Sequence, residues 1–226
     1  MKRLAGWANA HLAHRLLRIV LALIGLTLTA TAGQAQIRIV AVGDSSFKGG
    51  PSMRDLNDTY PARLEVALRA KGYNVTVANQ GINGERAWQT VERLNVAVPN
   101  GTRIALVAVG INDMVYEHAN RAMAFARLKD IVARLRTRGI EVMVFNLGAA
   151  GGAVSREQVA AETEALQALG AIAVPPMQAG LVNRKELHVE TAWKPHTTQW
   201  HLNREGNDIV VQRTLPVIEK LIARAQ

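Results

Sequence analysis

No cysteine occurs among the 226 residues, which excludes a thiol nucleophile, a disulfide framework and a cysteine-ligated metal. Aromatic residues make up 4% of the chain, and no Lys/Arg run is interleaved with them. The stacking and phosphate-binding surface of a nucleic-acid-binding protein therefore has no counterpart here. Internal repeats, low-complexity tracts and long linkers are missing as well. A chain of this length buries one sizeable core and is short for two.

The N-terminus differs in kind from the rest. Lys2, Arg3, Arg15 and Arg18 precede the apolar stretch Ile19 to Leu28, and Gly33-Gln34-Ala35 supplies small residues behind it. The apolar stretch falls short of the roughly 20 residues that a spanning helix needs. The order of basic segment, apolar core and small-residue site predicts that residues 1–35 are a cleaved export signal. The mature chain, residues 36–226, then begins near Gln36 and is periplasmic or secreted, with no stable membrane insertion after cleavage. Cleavage removes four basic residues and no acidic ones, so 23 Lys and Arg face 18 Asp and Glu and the net charge falls from +9 to +5. Without disulfides, an exported domain relies on its core.

Beyond residue 36, short Val/Ile/Ala-rich runs alternate with longer amphipathic segments, the pattern of an α/β domain whose crossover helices cover both faces of a parallel sheet. Strands are expected at 38–42, 74–78, 103–109, 141–145 and 171–174. Helices are expected near 60–71, 86–95, 120–138 and 155–169, with a last one after Asn203. Leu64, Val66, Ala67 and Leu68 form an inward stripe in this reading, as do Leu128, Ile131, Val132 and Leu135. Pro175 to Trp200 is the least regular segment. Sheets of this kind bind ligands outside the carboxyl ends of their strands.

Four short segments stand where such a site would form. Gly43-Asp44-Ser45-Ser46 follows the apolar run Ile37 to Val42, so a strand ends in a tight polar turn that can expose a serine hydroxyl. Asn79-Gln80-Gly81-Ile82-Asn83-Gly84 follows Asn74 to Ala78, and Gly110-Ile111-Asn112-Asp113 follows Ile104 to Val109. His201-Leu202-Asn203 precedes the C-terminal amphipathic helix. Taken singly, each has a structural reading as turn glycine, helix cap or surface histidine.

In this order and context they resemble the blocks of the SGNH (GDSL-type) hydrolases, closest to the secreted arylesterase, lysophospholipase and acyl-thioesterase branch. The resemblance runs from Ile37 to the C-terminus and implies a flavodoxin-like three-layer sandwich with a five-stranded parallel sheet. It makes Ser45 the nucleophile and His201 the base that activates it, since a serine hydroxyl attacks poorly until a neighbour takes its proton. It assigns the oxyanion hole to the backbone N–H groups of Ser45 and Gly81 and the side-chain amide of Asn112, donors aimed where negative charge develops. Asp44 and Asp113 are expected to bond loop amides beside the site, and Asn203 to cap the last helix.

Two positions depart from the family pattern. Ser46 stands where Leu is usual. More consequentially, the acid three residues ahead of the histidine is replaced by Thr198, so the carboxylate that holds the imidazole tautomer is missing from its place. Thr198 itself or a backbone carbonyl could accept the Nδ1 proton, Glu190 or another loop carboxylate could substitute, or the site is weak. His188, Glu190, His196 and His201 lie close in sequence but match no zinc spacing, so no metal is expected. The expected function is hydrolysis of small carboxylic esters or thioesters through an acyl-serine intermediate, without a cofactor. The alternatives are an O-acetyl esterase or acyltransferase acting on envelope glycans, and a non-catalytic acyl- or glycan-binding module.

Overall fold

The computed structural model describes residues 35–116, 121–148, 154–189 and 201–225. In chain order the elements are β1 (Ile37–Gly43), α1 (Ser45–Lys48), α2 (Tyr60–Ala70), β2 (Val75–Gly81), α3 (Ala87–Ala97), β3 (Thr102–Ala108), α4 (Ile111–Tyr116), α5 (Arg121–Thr137), β4 (Glu141–Phe145), α6 (Arg156–Ala168), β5 (Ile172–Val174) and α7 (Arg204–Ala225). All strand pairs are parallel, in the order β2-β1-β3-β4-β5. This is the expected doubly wound sandwich.

Alternation along the strands explains why helices lie on both faces. Ile39 and Ala41 of β1 enter one apolar cluster with Ile104 and Leu106 of β3, Tyr60, Leu64 and Leu68 of α2, and Val210, Leu215, Ile218 and Ile222 of α7. Their neighbours Val40 and Val42 enter the opposite cluster with Ala105 and Val107, Leu94 of α3, and Leu128, Ile131 and Leu135 of α5. A strand buried on both sides must read as a continuous apolar run, as β1 and β3 do. Val66 is the exception to the expected stripes: it is 55% exposed. Two residues from Leu64 it turns onto the outer face of α2, where the i, i+4 spacing of Tyr60, Leu64 and Leu68 sets the inner one.

Helix ends are set by local chemistry. Ser155 Oγ accepts from the Gln158 N–H at 3.1 Å and starts α6, and Asn203 Oδ1 accepts from the Gly206 N–H at 3.0 Å and starts α7. Such caps contribute about 1 kcal/mol each. The last helix is fastened to α2 by Tyr60–Thr214 (2.8 Å), Arg63–Asp208 (2.6 Å) and Lys71–Glu219. Among the described residues, no helix is long and apolar enough to cross a membrane. The expected export signal lies outside them, residue 35 apart.

In register, Gly43 of β1 stands between Gly81 of β2 and Ala108 of β3. The loops that follow these three strands therefore open on one sheet edge, at the point where the chain order reverses from β2 to β3 across β1. That crevice is where doubly wound sheets bind ligands.

Candidate active site

The turn carrying Ser45 is held from three directions. Gly43 has φ +154°, and a Cβ there would lie 2.0 Å from the Ala108 carbonyl oxygen, so a side chain would push β1 off β3. The Asp44 N–H donates to that carbonyl at 3.0 Å, and Asp44 Oδ1 accepts from the Ser46 N–H at 2.8 Å, which starts α1. Phe47 is fully buried, stacked on Tyr60 at 5.9 Å and edge-on to Phe145 at 6.0 Å. It supplies the apolar anchor of this turn, which explains why Ser46 is tolerated: Ser46 lines a small cleft with Asp44, Phe145, Asn146 and Pro176 instead. Ser45, at the first position of α1, is partly exposed. Neither its N–H nor its Oγ makes a hydrogen bond among the described residues.

At the end of β2 the Gly81 N–H donates to Asn79 Oδ1 at 3.0 Å. A Cβ on Gly81 would fall 2.7 Å from Lys48 N and 2.8 Å from the Asp44 carbonyl oxygen. Glycine is needed there for close packing against the Ser45 turn. Three residues on, Gly84 has φ +77°, an α-carbon facing open space, and an N–H with no partner among the described residues. Asn79 also ties the loop to α1, its Nδ2 donating to the Phe47 carbonyl at 2.8 Å.

Asn112 is buried, on the first turn of α4, and Nδ2 donates to the Glu85 carbonyl at 2.9 Å. A primary amide has two N–H bonds, and this contact uses one. The loop ends that Asn112 meets are clamped from behind: Arg93 pairs with both Glu85 carboxylate oxygens and donates to the Gln80 carbonyl at 2.7 Å. Asp113 has the structural part expected of it, Oδ2 accepting from the Ala87 N–H at 2.8 Å and Oδ1 from Arg127 at 2.6 Å.

Burial pushes the Asp44 carboxyl up to about 6 from 3.8, against the lowering effect of the Ser46 hydrogen bonds, with the charges of Glu85 and Asp113 adding to the rise. The folded chain then keeps a proton that the unfolded chain gives up, so stability is lost as pH rises from about 4 to 6, and the cost persists above that window. The cost above that window is on the order of 3 kcal/mol. Asp44→Asn keeps an oxygen acceptor for the Ser46 N–H and removes the charge. Its stability relative to wild type is expected to rise between pH 4 and pH 7 in denaturant titrations; a pH-independent difference contradicts the assignment.

His201 stands two residues ahead of the α7 cap, and the chain far from it has made room for the ring. A Cβ on Gly50, five residues after Ser45 and at φ +75°, would fall 2.6 Å from Cγ and 2.7 Å from Nδ1 of His201. The serine turn continues directly into this contact, the Gly49 N–H donating to the Ser45 carbonyl at 2.8 Å. The segment that follows Ser45 thus packs against the His201 ring. Burial, and then the charge of His188, hold the His201 imidazole below its ordinary 6.5, which favours the neutral, proton-accepting ring at neutral pH. Its Nδ1 is buried without a hydrogen-bond partner among the described residues. Thr198 and Glu190, the expected orienting residues, lie outside the described residues. Gly50→Ala is expected to lower kcat about a hundredfold by displacing the ring, with folding retained by circular dichroism; wild-type kcat in that variant shows that the contact is dispensable.

Asn79, Arg93, Gly50 and His188 were not marked as site residues by sequence pattern. The Gly49-Gly50 pair shortly after the serine block is the one local signal, and it reads equally as a turn. A serine on the turn after the first strand of a 2-1-3-4-5 parallel sheet, an asparagine after β3 and a histidine ahead of the last helix define an SGNH-type hydrolase. The chain belongs to the GDSL-like Lipase/Acylhydrolase family, whose profile matches residues 41–209. Among solved structures it is similar to AlinE4, an SGNH-hydrolase family esterase, at 26% identity and TM-score 0.62, over 82% of this chain and 96% of that one. It shares its fold with TesA (18% identity, TM-score 0.66, 81% and 99% covered) and with the psychrotrophic esterase EstA from Pseudoalteromonas sp. (14%, 0.68, 82% and 98%). Comparison with curated protein sequences gives no match. The protein is an ester-cleaving hydrolase.

Proposed function

We propose that this hydrolase is exported and cleaves small carboxylic esters or thioesters through an acyl-Ser45 intermediate. The observation that carries the reading is the Ser45 turn, whose hydroxyl and N–H are both uncommitted among the described residues and whose continuation at Gly50 lies against His201. His201 takes the Ser45 proton as Oγ attacks the acyl carbon. The carbonyl oxygen becomes an oxyanion, met by the Ser45 N–H, the second N–H of the Asn112 amide and, in place of Gly81, the N–H of Gly84. Collapse of this intermediate expels the alcohol or thiol, which leaves with the proton from His201. Water then attacks the acyl-enzyme with His201 again as base, giving the acid and free Ser45. None of these steps calls on a cofactor. Exposed Ile82, beside Gly84, and Val115 and Tyr116, at the end of the Asn112 helix, offer apolar surface to an acyl chain.

The test combines a fluorophosphonate serine probe with a panel of p-nitrophenyl esters, acyl-thioesters and acetylated glycans. Labelling of the Ser45 peptide and turnover of the first two classes are expected. Turnover confined to acetylated glycans assigns the protein to O-acetyl esterases, and ligand binding without labelling makes it a binding module. The export half of the proposal predicts a mature N-terminus at or near Gln36; mass spectrometry of the exported protein retaining Met1 contradicts it.

A further inference from the structure

The loop between β2 and α3 is closed at its base by one guanidinium. Its start is tied to the serine turn, the Ile82 N–H donating to the Gly43 carbonyl at 2.9 Å, and the Glu85 N–H donates to the Ile82 carbonyl at 3.2 Å. The second bond closes a four-residue turn with Asn83 and Gly84 at its centre, and the positive φ of Gly84 suits the third position of such a turn. Asn83 and Gly84 are exposed, whereas Glu85 is 4% exposed. A carboxylate so buried needs a partner.

That partner is Arg93, on the second turn of α3. Its Nε and Nη2 each donate to one Glu85 carboxylate oxygen, and Nη2 also donates to the Gln80 carbonyl at 2.7 Å. Gln80 and Glu85 stand at the two ends of the loop, so a single planar group spans its base. Glu85 in turn presents its backbone carbonyl to Asn112. A carbonyl only accepts, so the 2.9 Å contact requires the nitrogen of the Asn112 amide on this side, and the planar amide then has a fixed direction for its second N–H. The helix that carries Arg93 is itself bonded to the residue after Asn112, the Ala87 N–H donating to Asp113 Oδ2 at 2.8 Å. Arg93, Glu85 and Asn112 belong to one connected frame.

We propose that Arg93 is a positioning residue of the oxyanion hole: by holding the Glu85 side chain and the Gln80 carbonyl together, it sets the direction of the Asn112 amide and of the Gly84 N–H. The inference rests on the reading of those two groups as oxyanion donors. Arg93 acts through Glu85 and the loop, and what it governs is how well the donors meet charge that exists only in the transition state. Its loss therefore falls on kcat and spares KM. A guanidinium that merely balanced the buried carboxylate would matter to stability alone.

Paired substitutions separate the two roles. Glu85→Gln removes the charge and keeps an acceptor for Arg93; adding Arg93→Met then deletes the guanidinium without stranding a buried carboxylate. On p-nitrophenyl acetate the double variant is expected to fall tenfold to a hundredfold in kcat below Glu85→Gln at unchanged KM, less than the roughly 10² to 10³ lost with an oxyanion donor itself, with the fold retained by circular dichroism. Equal kcat in the two proteins, or a rise in KM at constant kcat, overturns the proposal and leaves Arg93 as the counter-charge of Glu85. Should the double variant unfold, Arg93→Lys decides in its place, since it keeps a cation beside Glu85 and lacks the planar fork. A fall in kcat of about tenfold at unchanged KM then supports the proposal, and wild-type kcat overturns it. Asn112→Ala in the same assay checks the underlying reading. If that variant keeps wild-type kcat, the oxyanion assignment fails and the inference with it; if it loses kcat while the Arg93 variants do not, the positioning role alone fails.

Discussion

Ser45→Ala removes ester hydrolysis down to the background rate, a loss on the order of 10⁴ to 10⁶ in kcat by the behaviour of catalytic units that act together, while the fold stays intact. The hydroxyl bonds to nothing among the described residues and is partly exposed, and Phe47 and the Asp44 cap hold the turn without it. The stability change should stay within about 0.5 kcal/mol, the usual range at such surface positions. Purified variant assayed on p-nitrophenyl acetate, with thermal melting beside it, decides the matter. Activity near wild type in a preparation free of other esterases refutes Ser45 as nucleophile.

Asn112→Ala comes next in size, with kcat lowered about 10² to 10³ and KM little changed, because an oxyanion donor acts mainly on charge present in the transition state. The variant also gives up the bond to the Glu85 carbonyl, at a stability cost of about 1 kcal/mol. The Arg93 clamp on Glu85 and Gln80 still holds the loop, so the kinetic effect should far outweigh the structural one. A rise in KM at constant kcat makes Asn112 a substrate-positioning residue instead.

The sheet was legible in the sequence because its central strands β1, β3 and β4 are runs of β-branched and small apolar residues buried on both faces, and the long helices because their stripes repeat at 3.6. The four residues of α1 and six of α4 were not. Helices that short carry no periodicity and arise from the turn at a strand end, in α1 from the Asp44 cap. Ser45, Asn112 and His201 could be picked out because their blocks follow strand ends or precede the last helix. Which of the N–H groups of Gly81 and Gly84 is already bonded depends on where the Asn79 side chain turns, which composition and periodicity do not fix. Gly50 was beyond pattern reading because what gives it its meaning is contact with His201, far along the chain.

The fastening of α7 to α2 reaches across the whole chain, with Tyr60 and Thr214 separated by 154 positions. His201 stands two residues ahead of the cap of that helix, so the docking of α7 against α2 also sets where its ring lies. Removal of the chain from residue 201 onward takes away the histidine together with the apolar face that covers Tyr60 and Leu64. Such a truncation is therefore expected to lose its activity and its fold in one step, with no folded, inactive intermediate to be trapped.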